Sequence, residues 1–407
     1  MGRSVLVTGV SRYLGGQMAR VLCSDPGIDR VVGVDVVPPR HGLGSAEFVR
    51  ADIRSPVIGK VMAAAEVDTV VHMGVIATPM QAGGRATMKE INVIGTMQLL
   101  AACQRTDSVS RLVVKSTASV YGAGPRDPAM FTEDMTPRHP PSSGWAKDSV
   151  EVEGYVRGFA RRRPDVAVSI LRLANFIGPR VDTAMTSYFS LPVIPTVLGF
   201  DARLQFVHED DGIEALRLAA DLGVKGVFNV AGPGVLPLSQ AVRRASRPSL
   251  AVPSAFLGLA GRGLGRAGLA DFSAEQVRFL TYGRAIDTSR AARDLGFVPR
   301  YTTTEAFDDF VRGRGLPSEW TAETARAADA LLRSVQERLD PGPARESSSR
   351  ASSRASSRAP GSRESAGARC PGDPPRPAGT SPRGRRGHHS SPGGGPRLPA
   401  PSTGGRL

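Results

Sequence analysis

Residues Val5-Leu-Val-Thr8 make a short apolar run that ends in a glycine-bearing turn and passes into an amphipathic stretch from Leu14 to Cys23. That order of strand, turn and helix recurs. Val31-Val-Gly-Val34 followed by Asp35 reads as the next buried strand, and Asp68-Thr-Val-Val-His72, Leu112-Val-Val114 and Val168-Ser-Ile-Leu171 read as three more. Helical patterns at Met88 to Arg105 and Lys147 to Arg162 lie between them. Continuous β-branched strands alternating with helices imply an α/β fold built on a doubly wound parallel sheet, covered on both faces and joined by right-handed crossovers. Ligands of such sheets bind at the carboxyl ends of the strands.

After Gly178 the alternation becomes irregular, broken by Pro192, Pro195, Pro233 and Pro237. We expect residues 1–178 to form a nucleotide-binding domain, to which 203–232 return. Segments 179–202 and 233–335 are expected to build a smaller substrate cap.

Composition bounds the rest. A chain of 407 residues with 41% hydrophobic content has ample material for a buried core. The formal charge of +14 would point to nucleic acid if it covered the fold, but the last 67 residues carry 12 Arg, no Lys and 3 acidic residues, leaving +5 for residues 1–340. Segment 340–407, rich in Ser, Arg, Pro and Gly, offers little apolar surface to offset the entropy of ordering and reads as a disordered tail. No specific nucleic-acid partner is expected. The apolar stretch Leu250 to Ala270 is interrupted by Arg262 and Arg266 and falls short of a transmembrane span. Cys23, Cys103 and Cys370 are widely spaced and no signal-peptide pattern opens the chain, so a cytoplasmic location is expected. Neither a metal-ligand cluster nor a nucleophile triad is visible.

The turn after the first strand reads Thr8-Gly9-Val-Ser-Arg12-Tyr13-Leu14-Gly15-Gly16. Such a turn brings backbone amides to a pyrophosphate at the helix N-terminus, where N–H groups lack partners and the dipole favours an anion. Gly9 suits the tight turn and Gly15 the close packing of helix on strand, whereas Arg12 replaces the central glycine. Asp35, about 20 residues beyond the last glycine, stands where a carboxylate accepts hydrogen bonds from the adenine ribose. NAD is the expected cofactor. NADP stays open, because an Arg12 guanidinium could hold a 2′-phosphate, and so does a structural turn that binds no nucleotide.

Together with Asn92-Val-Ile-Gly-Thr96, Ser116-Thr117-Ala-Ser-Val-Tyr-Gly122 and Leu171-Arg-Leu-Ala-Asn-Phe-Ile-Gly-Pro179, these motifs resemble the extended short-chain dehydrogenase/reductase family. Within it, the chain resembles the actinobacterial NAD-dependent epimerase/dehydratase proteins of UDP-glucose 4-epimerase type, from about residue 4 to 315. The resemblance implies a Rossmann domain with a C-terminal substrate cap. It implies that Gly9, Arg12, Tyr13, Leu14, Gly15, Asp35, Asp52 and Ile53 face the cofactor, the last two at its adenine. It places Lys147 on the nicotinamide ribose, Thr117 at the hydroxyl that polarises the reacting oxygen, Asn175 on the sugar nucleotide, and Arg284 at a cap phosphate contact. Leu204 stands where a diphosphate-binding arginine is expected, with Arg203 adjacent.

The resemblance fails at one position that matters. A Tyr-x-x-x-Lys pattern puts a phenol and an ammonium one helical turn apart, where the cation lowers the phenol's pKa towards a range useful for acid or base work. Here the residue four before Lys147 is Ser143. The reading that follows is an NAD(P)-dependent sugar-nucleotide epimerase or dehydratase. Its catalytic set is Thr117, Ser143 and Lys147, with a bound water in the phenol's place. Its partners are expected to be a small-molecule substrate of nucleotide-sugar type, with a homodimer left open. Two alternatives stand beside it: an NAD(P)-binding sensor or scaffold without turnover, and a hydroxysteroid or isoprenoid oxidoreductase whose pocket uses the stretch from Leu250 to Leu269.

Overall fold

The computed structural model describes residues 2–74, 83–253 and 273–316, all within one unit, Met1–Ala344. Its centre is a seven-stranded sheet of β1 (Arg3–Thr8), β2 (Ile28–Asp35), β3 (Glu47–Arg50), β4 (Thr69–His72), β5 (Arg111–Thr117), β6 (Ala167–Leu173) and β11 (Gly226–Val230). The spatial order is β11-β6-β5-β4-β1-β2-β3, and every neighbouring pair is parallel. The order reverses at β1, between β2 and β4, which opens a crevice at the carboxyl edge beside the first turn.

Alternation along the strands explains their continuous apolar character. Val5, Val7, Val71 and Val113 face one layer, with Met18, Ala19 and Leu22 of α1 (Tyr13–Cys23) and Ala215, Leu216 and Ala219 of a helix at Glu209–Leu222. Leu6, Val70, Leu112 and Val114 face the other, against α2 (Val57–Ala64), α4 (Gly95–Arg105) and α5 (Gly144–Arg162). The short helix α3 (Arg85–Lys89) runs through a π turn at Glu90–Ile94 into α4. A strand buried on both faces has no polar side to show.

A third core, with Tyr188, Phe189, Leu204, Phe206, Leu236, Phe279, Phe307 and Phe310, holds the remaining elements. These are β7 (Asn175–Ile177) paired with β10 (Phe206–His208), β9 (Arg203–Leu204) paired with β12 (Leu236–Pro237), and β8 (Ile194–Val197) paired with β13 (Ser249–Val252). The helix Thr303–Gly313 closes this core, started by a capping box in which Thr302 and Glu305 bond each other's backbone N–H. Leu204, where the resemblance expects an arginine, has no exposed surface and packs in this core. The tail from 340 onward and the stretch 254–272 lie outside the described residues. Among the described residues no helix is long and apolar enough to cross a membrane.

Candidate active site

A cleft of about 950 Å³ opens at the carboxyl ends of β1, β5 and β6. Its floor begins at Gly9, whose φ of +76° favours glycine and whose Cβ position would be tight against Gly74 Cα at 3.2 Å. Gly15 is required for space alone, since a Cβ there would sit 2.1 Å from the Gly9 carbonyl oxygen. Arg12 is different. Its φ of −91° and ψ of 153° suit any L residue at the start of α1, so the missing glycine changes the surface of the turn and leaves its backbone intact.

Asp35 braces this turn: its Oδ2 accepts from Ser11 N at 3.0 Å and Ser11 Oγ at 2.6 Å, and its Oδ1 accepts from Val36 N at 2.8 Å. Tyr13 and Leu14 line the cleft. The Tyr13 hydroxyl donates to Glu209 at 3.1 Å and accepts from Gln17 at 2.7 Å, and burial is the main reason its pKa rises to about 12. It is held as a neutral strut. His72 is likewise structural, its ring nitrogens 2.8 Å from Thr8 Oγ1 and 2.9 Å from Thr96 Oγ1.

Asp52 and Ile53 are not among the residues that line the cleft. Arg54 donates to both Asp52 oxygens at 2.7 to 3.1 Å, which lowers the carboxyl pKa. Ile53 packs so tightly on Gly95 that a Cβ there would come within 2.7 Å of its side chain.

On β5, Lys115, Ser116 and Thr117 all line the cleft, with the Ser116 hydroxyl donating to Glu153 at 2.7 Å. Glu153, 1% exposed, also binds Arg172 at 2.8 Å and Arg157 at 2.9 Å. Arg172 in turn donates to the Tyr121 hydroxyl at 2.8 Å, which donates to Asn229 at 2.9 Å. That phenol belongs to a buried network and is unavailable for chemistry. Thr117 Oγ1 accepts from Ser119 N at 3.1 Å, a bond that leaves its own proton free to be donated into the cleft.

Ser143 and Lys147 are not brought to the wall with Thr117. Ser143 is exposed, extended (φ −148°, ψ 175°) and caps α5, and Gly144 after it has a φ of +65°. Ser143 is the cap of α5 and not a residue within it, although its carbonyl still accepts from the Lys147 N–H at 3.4 Å. Lys147 is exposed, and α5 contributes Trp145 to the cleft wall. Arg85 fixes this end of α5 by donating to both oxygens of fully buried Asp148 at 2.7 Å and to the Gly144 carbonyl at 2.9 Å.

Of the residues expected at the substrate, Asn175 is on the cleft wall, together with Phe176, Val181 and Met185. Arg203 is exposed on β9 and stands away from it. Arg284 is buried, and its guanidinium donates to Gly122 O at 2.6 Å and Ser119 Oγ at 3.0 Å. It holds the turn after β5 from behind.

Sequence reasoning missed Lys115, Trp145 and Arg85. Lys115 had a signal, since a cation within Leu112-Val-Val-Lys-Ser-Thr117 interrupts a strand buried on both faces. With it the wall carries Arg12, Arg20, Arg40, Lys115 and Arg180, of which Arg180 is paired with Glu209 at 2.8 Å and Asp210 at 3.2 Å, while Asp182 pairs with Arg314 at 2.7 Å. The cleft is built for an anion.

Comparison with known proteins places the chain by family and fold. The model of the NAD dependent epimerase/dehydratase family matches residues 5–231. An uncharacterized protein of Mycobacterium tuberculosis is 51% identical over 317 residues, covering 77% of this chain and 84% of its own. A UDP-glucose 4-epimerase of Mycolicibacterium smegmatis is 27% identical over 321 residues, 74% of this chain and 95% of its own. Among solved structures, a UDP-glucose 4-epimerase from Thermotoga maritima with UDP-glucose superposes with a TM-score of 0.59 at 19% identity, covering 76% of this chain and 98% of that one. A UDP-glucuronic acid 4-epimerase from Bacillus cereus, in complex with UDP-glucuronic acid and NAD, gives 0.59 at 20% identity, with 76% and 99% covered.

Proposed function

Because the chain belongs to the NAD dependent epimerase/dehydratase family, we propose that it binds NAD in the cleft at the carboxyl ends of β1 and β5 and turns over a nucleotide sugar slowly. The observation that carries this reading is the cleft itself, with five cations on its wall beside the glycine turn and Thr117 on β5. A dinucleotide and a sugar nucleotide each carry a diphosphate, and the cationic wall suits both. The fit is good at the turn, where Gly9 takes the left-handed φ and Gly15 lets α1 pack against the Gly9 carbonyl, as a dinucleotide-binding turn requires.

Bound NAD supplies hydride exchange with a carbinol carbon of the substrate. The chain's own task is to place that carbon and to handle the hydroxyl proton. Thr117 donates a hydrogen bond to the reacting oxygen, and Asn175 orients the sugar from the cap side. Trp145, Phe176 and Met185 wall the reacting end. A water bonded to Thr117 takes the proton, because Ser143 is exposed and caps α5. Absence of a tuned general acid or base costs about 10² to 10⁴ in rate, hence the slow turnover.

Purified full-length protein, denatured and analysed by mass spectrometry for released small molecules, tests the reading. NAD together with a nucleotide sugar is the expected result. Release of a steroid or isoprenoid would replace the sugar substrate with a lipid one.

A further inference from the structure

We propose that Lys115 and Arg12 form a two-cation clasp for the cofactor's diphosphate, an inference that rests on the NAD reading above. A Rossmann turn ordinarily meets the diphosphate with backbone amides, the second glycine being small enough to let it approach. Here that glycine is Arg12, at the start of α1. The compensation comes from the opposite wall, where β5 presents Lys115 into the same cleft.

Three observations support the clasp. The two cations are close enough to disfavour each other: burial first, and Arg12's charge second, push the Lys115 pKa down to about 8, and burial likewise lowers that of Arg12. Among the described residues, no hydrogen bond or ion pair engages the Lys115 ammonium. Glu153 of α5 accepts from the Ser116 hydroxyl and pairs with Arg172 and Arg157. Finally, the α1 N-terminus adds unpartnered N–H groups and a favourable dipole to the same point.

A buried ammonium without a counter-charge costs stability, and a methionine of similar length would fold at lower cost. The arrangement makes sense when a dianion bridges the two cations. A ligand lacking phosphate would gain nothing from Lys115.

The experiment compares NADH, ADP and adenosine as probes against full-length parent, Lys115→Met and Lys115→Arg, by fluorescence or calorimetric titration. Loss of one charge-assisted contact predicts about 10- to 100-fold weaker NADH and ADP binding in Lys115→Met. Adenosine affinity should be unchanged and Lys115→Arg should recover most of the loss. The unliganded thermal midpoint of Lys115→Met should equal or exceed the parent's, which a merely structural lysine would not allow. Lys115→Gln serves in its place if the methionine variant does not fold. Equal NADH affinity in parent and Lys115→Met overturns the clasp and leaves the cofactor reading standing. A parent that binds neither NADH nor ADP overturns both.

Discussion

His72 shows how a residue with a catalytic look can be a structural part. It ends β4 with both ring nitrogens bonded to threonines, and burial pushes its pKa from 6.5 down to about 4. The unfolded chain therefore takes up a proton between pH 6.5 and about 4 that the folded chain refuses. Stability falls as the pH drops through that window, and below about 4 the loss is complete, on the order of 3 kcal/mol for the whole shift. Urea unfolding of parent and His72→Gln at pH 7 and pH 5 checks this. The variant should lose less stability between the two pH values. Equal losses would remove His72 as a cause. At this scale the sequence was legible where one residue carries one physical demand, as with Gly9 and Gly15. It misled where backbone conformation decides, because nothing in Ser143-Gly-Trp-Ala-Lys147 announces that Gly144 takes a left-handed φ. For the same reason Ser143→Tyr should not restore fast turnover, since the new phenol would start from an extended cap outside the cleft wall.

The central strands were legible because each is buried on both faces and reads as an unbroken β-branched run. The edge strands were not. β3 is four residues, Glu47 to Arg50, half exposed and charged at both ends, and β11 starts at a glycine. The paired strands outside the seven-stranded sheet are two to four residues long, too short for any period to show. The start of α5 also depends on a contact invisible to local pattern, since Arg85 meets Asp148 across 63 residues of sequence. Arg85→Met leaves the Asp148 carboxylate buried without its partner. The arginine keeps 39% of its side chain in solvent, so the loss should be about 2–3 kcal/mol, below that of a fully buried pair. Chemical unfolding of Arg85→Met and of Arg85→Met/Asp148→Asn checks it. The second change should return most of the stability, and a double variant no better than the single one would show that the pair is not what fixes α5.

At the scale of the whole molecule, the sheet's reversal at β1 gathers the glycine turn, the end of β5 and the start of β7 around one cleft, although they lie far apart in sequence. That convergence, and the cations it assembles, explains why a chain lacking the family's phenol keeps an anion-binding site. The central claim is that this site still performs hydride chemistry, with Thr117 at the reacting oxygen. Its most direct test mixes the NAD-loaded parent and Thr117→Val with UDP-glucose and UDP-glucuronic acid, following the near-ultraviolet absorbance of reduced nicotinamide in a stopped-flow instrument. The account predicts slow reduction in the parent and a rate lower by about 10² or more in Thr117→Val, with NAD affinity unchanged. A parent that binds NAD tightly yet shows no reduction with either sugar nucleotide, or a Thr117→Val protein as fast as the parent, would contradict it.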